Sequence, residues 1–264
     1  MTGYDMTWNG VDKPASLVVE NIDRDLLGEH TGVFVHIPGR SGAWYFPDER
    51  GRRLVECHCY ILADSYPQNR RAIITQVADW LDINGETTLV LGDDPDVFYQ
   101  AVLVDAPNLR EWRHLGRFDL VFSVDPWAYD NDPTVVTFNQ ESDDEWTYDF
   151  GVGVATYPVI EVINTSGGTI SGFFFTMNDN TLNFQGDVPD DGIVTINSIG
   201  LAVLAGANDD TLLTGVYEPS ESLMSLVQGT FPTILPGPND MEINTETPGA
   251  TLDIRVTYRK RYRN

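Results

Sequence analysis

Arg117-Phe118-Asp119-Leu120-Val121-Phe122-Ser123-Val124 decides the fold class, because its large apolar residues recur at every second position. Successive side chains of an extended chain point to opposite faces, so Phe118, Leu120, Phe122 and Val124 share one face while Arg117, Asp119, Val121 and Ser123 share the other. The same period returns where Leu252, Ile254, Val256 and Tyr258 alternate with Asp253, Arg255 and Thr257. Between these stretches, short apolar runs are bounded by closely spaced Gly, Pro, Asn and Asp, the residues of tight turns. The fold is therefore expected to be mainly β.

One segment departs from that period. Ile73, Ile74, Val77, Ala78 and Leu81 recur at helical spacing, Ser65 and Gln68 have the separation of a capping box, and Asn84-Gly85 offers a stop. A single amphipathic helix among strands is expected to lie on a sheet and bury its stripe there. The runs Thr87 to Leu91 and Val97 to Val104 flank Gly92-Asp93-Asp94-Pro95, which reads as a hairpin with a tight polar turn.

Turn chemistry between Asp125 and Pro133 marks a domain boundary, giving expected domains of 1–132 and 133–264. The helical pattern is absent after it. Strand-like runs at 159–164, 169–176, 181–184, 193–197, 201–205 and 250–258 are separated by turns such as Asn178-Asp179-Asn180 and Pro189-Asp190-Asp191-Gly192. That spacing suggests a β-sandwich.

Composition bounds the chemistry. A chain of 264 residues with 42 % hydrophobic and 11 % aromatic residues can bury a sizeable core. No run approaches the roughly eighteen apolar residues of a membrane span, and the opening residues lack the basic and apolar regions of a secretory signal. Forty acidic residues against sixteen basic ones leave a formal net charge of -24, which argues against sequence-specific nucleic-acid binding. Five of the sixteen cations, Arg255, Arg259, Lys260, Arg261 and Arg263, lie in the last ten residues. They read equally well as a dock for an acidic neighbour and as a solvated terminal strand.

Candidate catalytic and metal sites find little support. Asp93-Asp94, Asp143-Asp144-Glu145, Asp190-Asp191 and Asp209-Asp210 offer carboxylate pairs of the kind a glycosidase needs. All fall in expected turns, where Asp is favoured for its local backbone hydrogen bonds. Asp187 to Gly192 departs from EF-hand spacing by placing Pro189 at a ligand position. Cys57 and Cys59 share one face of an expected strand and read as reduced core thiols, with His58 on the opposite face. His30, His36, His58 and His114 are dispersed, and the sequence contains neither a nucleophile elbow nor a phosphate-cradling loop. No catalytic residue, metal or cofactor is expected.

The order of features resembles the distal tail protein family of long-tailed phages infecting mainly Gram-positive bacteria. The likeness runs through Val33-Phe34-Val35-His36-Ile37-Pro38-Gly39-Arg40-Ser41-Gly42, the helical stretch Asn69 to Leu81, Leu89 to Ala101 and Gly116 to Phe122. It continues with Tyr157-Pro158-Val159-Ile160-Glu161-Val162, Phe231 to Asn239, and the strand and basic tail from Ala250 to Arg263. Gly167-Gly168 departs from it by lengthening a turn, as does the extreme acidity. Only Lys13 and Lys260 stand beside fourteen arginines.

The resemblance implies an N-terminal β-sandwich carrying the helix and hairpin, which assembles into a six-membered ring, followed by a galectin-like C-terminal β-sandwich. Such a ring would connect the tail tube to the tail-tip or receptor-binding hub and contact the tape-measure protein. It would sit in the virion tail tip after synthesis in the bacterial cytoplasm, with DNA passing through its channel. A strongly acidic wall would discourage sticking. The exposed hairpin 87–104 suggests Asp93, Asp94, Pro95 and Phe98 as ring-interface residues. The alternative is a carbohydrate-binding β-sandwich module for host attachment, whose candidate glycan contacts are Trp127, Trp146, Tyr148 and Tyr157.

Overall fold

A computed structural model of the chain describes residues 3–25, 33–36, 38, 41–46, 51–62, 70–105, 110–112, 115–140, 145–206 and 222–263. They fall into two compact units, one comprising Met1–Asn131 with Arg263–Asn264 and the other Asp132–Tyr262. The capping pair Ser65 and Gln68, His30, His114, Asp143-Asp144 and Asp209-Asp210 lie outside the described residues.

The first unit contains β1 (Met6–Trp8), β2 (Val11–Asp12), β3 (Leu17–Arg24), β4 (Val33–Val35), β5 (Trp44–Phe46) and β6 (Arg53–Leu62). After α1 (Arg70–Leu81) come β7 (Thr87–Leu91), β8 (Asp94–Leu103), β9 (Arg110–Trp112), β10 (Leu115–Val124) and β11 (Trp127–Asp130). β4 and β5 pair with each other, while the other strands join one sheet in the order β2-β1-β7-β8-β10-β6-β3, with β9 on β10 and β11 on β8. The sandwich expected here is instead one continuous sheet that curls until its ends meet. The Tyr4 amide, just ahead of β1, donates to Val19 O of β3 at 2.9 Å. Irregularities between Val19 and Asn21 and between Leu89 and Leu91 help the sheet bend.

The quoted strand β10 pairs with β6 over ten residues, from Leu115↔Leu62 to Val124↔Arg53. Phe118, Leu120, Phe122 and Val124 consequently meet Cys57, Cys59 and Val55 inside the curl, with Trp8 5.0 Å from Phe122 between ring centroids. The helix closes one side of this core. Its buried face is Val77, Trp80 and Leu81 with Ile73 and Ile74 partly covered, whereas Ala78 is exposed. Trp80 Nε1 donates to Val11 O at 3.0 Å, fastening the helix to β2. The hairpin turn is tighter than the four-residue turn expected, because Asp94 and Pro95 already belong to β8 and Leu91 faces Asp94. Gly92 is required there for closeness: a Cβ would lie 2.6 Å from the Asp5 nitrogen.

The second unit contains β12 (Thr134–Asn139), β13 (Glu145–Asp149), β14 (Val159–Asn164), β15 (Ile170–Met177) and β16 (Asn180–Val188). It continues through β17 (Ile193–Asn197), β18 (Ala202–Ala205), β19 (Val227–Gly229), β20 (Pro238–Asn244) and β21 (Leu252–Tyr258). They form two antiparallel sheets, β12-β21-β14-β17-β18 and β13-β20-β15-β16-β19. One core lies between them, built from Ile160, Val162, Ile254 and Val256 on one side and Phe173, Phe175, Phe184 and Ile243 on the other. This is the expected sandwich. No helix among the described residues is long and apolar enough to cross a membrane.

Three buried polar side chains in this unit, Asn164, Asn239 and Glu161, are paired. Asn164 Nδ2 donates to Gly168 O at 2.7 Å and Val188 O at 2.9 Å, while its Oδ1 accepts the Ser166 amide at 3.0 Å. The lengthened Gly167-Gly168 turn is thereby tied to the end of β16. Asn239 Oδ1 accepts the Leu235 amide and its Nδ2 donates to Gly237 O, both at 2.8 Å, ordering the turn before β20. The Glu161 carboxylate is 2 % exposed and receives Arg255 Nη1 at 2.9 Å. One member of the basic terminal cluster thus has a cross-strand partner.

Leu120 is fully buried in the first core, so Leu120→Ala is expected to cost about 2–5 kcal/mol in urea unfolding. Burial pushes the Cys57 thiol up to about 12 and raises that of Cys59 as well. Both cysteines are free, so a thiol reagent at neutral pH is expected to leave the native protein unlabelled and to modify both thiols after denaturation.

Candidate functional site

The hairpin tip is the first candidate surface, and its sequence explains its order. Arg24, at the end of β3, makes a two-pronged ion pair with Asp93, Nη1 to Oδ2 and Nη2 to Oδ1, each 2.6 Å long. A planar guanidinium matches a carboxylate in this way and fixes direction as well as distance. The hydrogen bond from Arg24 holds the Asp93 carboxyl below its usual range. Its stabilising effect is present above the ordinary carboxylate value and is lost as pH falls through the depressed one.

The four predicted ring residues have different surroundings. Asp93 is committed to Arg24, Asp94 is half-buried in β8, and Pro95 is exposed. Phe98 is 7 % exposed and stacks on Tyr129 with centroids 5.4 Å apart, so its ring packs within its own unit. Asn131 Nδ2 donates to Pro95 O at 2.6 Å, tying down the backbone beside the tip.

The second candidate is a charged ladder that linear spacing could not show. Register places His58 of β6 opposite Asp119 of β10 and Asn21 of β3, with Asp23 opposite Glu56. His58 Nδ1 lies 2.6 Å from Asp119 Oδ1 and Nε2 lies 3.0 Å from Asp23 Oδ2, so an imidazolium donates to both carboxylates and bridges three strands. These hydrogen bonds, that to Asp119 first and that to Asp23 second, raise the His58 pKa. Glu56, His58 and Asp119 also have ligand atoms within 4.8 Å of one another, a donor set able to hold a divalent cation. In the metal-free arrangement both ring nitrogens already have carboxylate partners.

The four aromatics singled out as glycan contacts have different surroundings. Trp127 begins β11 of the first unit. In the second unit, Trp146 and Tyr148 pack toward Phe138, with ring centroids 5.6 and 5.5 Å away. Tyr148 is nevertheless 38 % exposed. Tyr157 is 42 % exposed and carries the Arg261 guanidinium 4.9 Å from its ring centroid. A second member of the basic tail is thus placed on its own unit, where Arg261 also donates to Ala155 O at 3.2 Å. In the turn after β16, Asp190 Oδ1 accepts the Gly167 amide at 2.9 Å.

A curled β unit with one helix, followed by a two-sheet β-sandwich, defines the class of fold. The chain has the fold of the Dit protein of phage SPP1, described as a paradigm of the hub adsorption apparatus in phages infecting Gram-positive bacteria. The TM-score is 0.73 at 12 % identity, covering 98 % of this chain and 99 % of that one. Two structures of the phage p2 baseplate in its activated conformation, with strontium and with calcium, match at TM-scores of 0.49. They are 11 % and 10 % identical, with 96 % of this chain and 97 % of those chains covered. No protein-family profile matches the sequence, nor does any curated protein.

The His58 bridge has a defined pH dependence. Its pKa is raised on folding, so its contribution is full below the ordinary histidine value and disappears as pH rises through the folded value. Urea midpoints of wild type and His58→Gln, compared from about pH 5 to about pH 9, are expected to differ in acid and converge in base. A gap that stays constant would show that the charge on the ring is irrelevant.

Proposed function

We propose that the chain is a structural protein of a phage tail tip, with no catalytic role. The observation that carries this reading is the likeness to SPP1 Dit, which spans both units and nearly the whole length of both chains. Two β units in the same succession, at 12 % identity, fit a part selected for its shape and surfaces. In the finer reading, the first unit forms a hexameric ring and the second is a galectin-like sandwich on its outside. The ring joins the tail tube to the receptor-binding hub and contacts the tape-measure protein.

The charge is consistent with that role. A net charge of -24 per copy makes the assembled surface unfavourable for DNA passing nearby, because phosphate and carboxylate repel. The Arg24–Asp93 pair supports the hairpin as a contact element, since it presents the tip in one fixed orientation.

Light scattering over a concentration series, with negative-stain imaging of the largest species, tests the ring. The expected particle has six times the 29.5 kDa chain mass and a central hole. Arg24→Ala is expected to shift the equilibrium toward smaller species by freeing the tip. A protein that stays monomeric at every concentration removes the ring from the reading.

A further inference from the structure

The outer face of the β13-β20-β15-β16-β19 sheet holds a depression of about 260 Å³ bordered by Ser171, Phe174, Asn183, Gln185, Asp187 and Glu246. Its origin is a break in register. Ser171 pairs with Asp187 and Phe173 with Phe184, so Gln185 and Gly186 together stand opposite Gly172. Gly172 has φ +85°, and a Cβ there would lie 2.3 Å from Phe184 O. At Gly186 a Cβ would lie 2.7 Å from the Phe184 ring. Both positions are packed so closely against neighbouring atoms that only glycine fits, which fixes the register break at the edge of the depression.

The rim is held in place on both sides of Glu246. Thr245 Oγ1 donates to Gly172 O at 2.9 Å, and the Ser171 amide donates to Thr247 Oγ1 at 3.1 Å. Pleat alternation puts Phe174 on the outer face, with Asn183 beside it on β16 and Asn244 beside it on β20. Asn183, Gln185, Asp187 and Glu246 make no side-chain hydrogen bond among the described residues, in contrast to the committed Asn164 and Asn239. The depression thus combines a fixed rim, the outward-facing Phe174 ring and several side-chain donors and acceptors without partners among the described residues.

We propose that this depression binds a single pyranose ring of a neutral polysaccharide. Amide side chains can donate to and accept from hydroxyls, carboxylates accept from them, and the Phe174 ring offers an apolar surface to sugar C–H groups. The bordering ionisable groups are both carboxylates, which with the chain's overall acidity disfavours phosphorylated or sulfated sugars. A volume of 260 Å³ lies just below the roughly 300–1,000 Å³ of drug-sized ligand pockets and suits one ring. Trp146, Tyr148 and Tyr157 are not among its bordering residues, and the inference does not depend on hexamer formation.

Saturation-transfer NMR and calorimetry on the full chain, with glucose, galactose and N-acetylglucosamine as separate probes, test the site. At least one sugar is expected to bind with a Kd of about 1 mM, a low affinity that fits few contacts and a preformed pocket. Asn183→Ala and Phe174→Ala are each expected to weaken it about tenfold or more, with unchanged circular dichroism and melting. Trp146→Ala is expected to leave it intact. Asn183→Ala changes only a side chain without internal hydrogen bonds, so it remains informative if the Phe174 variant is unstable. The proposal is overturned if none of the three sugars binds, if binding survives both pocket substitutions, or if the pocket residues respond to calcium alone.

Discussion

The ten-residue ladder between β6 and β10 is the constraint on which the first unit depends. It sets which side chains face inward, because a slip of one residue would send Phe118, Leu120 and Phe122 to solvent and bring Asp119 inside. The same register assembles the charged bridge on the outer face, where His58 meets Asp119 directly and reaches Asp23. Core and surface therefore reinforce one alignment. β8 joins the far side of β10 and carries the hairpin whose tip returns to β3 through Arg24 and Asp93.

Much of the architecture is legible in the sequence where one face of a strand is buried. β10, β14, β15, β17 and β21 show their two-residue period because their inward positions carry large apolar residues. β20 is harder to recognise, since its inward face begins with Asn239, a polar residue satisfied by turn backbone atoms. β13 is mostly exposed and offers only Trp146 and Tyr148 as inward residues. In α1, Ala78 fits the spacing yet remains outside the buried face, while Trp80 supplies the large contact. Helical spacing alone does not identify the covered edge of a stripe.

Candidate sites are less legible because they arise between strands distant in sequence. Nothing near His58 along the chain announces Asp119, and only pairing brings them together. Exposed aromatics attract attention, but Trp146 turns out to belong to the packing around Phe138. The depression beside Phe174 depends on a register break involving Gly172 and Gly186, which a list of residue types does not show. Lone glycines in strands can mark such a break, yet they do not reveal which polar side chains will gather around it.

Closure by strands far apart in sequence also constrains how the chain folds as it is made. Tyr4 and β3 are synthesised early, but β3 needs β6, and β1 needs β7 before the curled sheet can close. In the second unit the bond from the Leu252 amide to Gln140 Oε1 spans 112 residues, and β12 finds its partner only in β21. Such non-local pairing slows folding and leaves apolar faces uncovered during translation. The interval between making β12 and making β21 is when the second unit is most exposed to mispairing with a neighbouring copy.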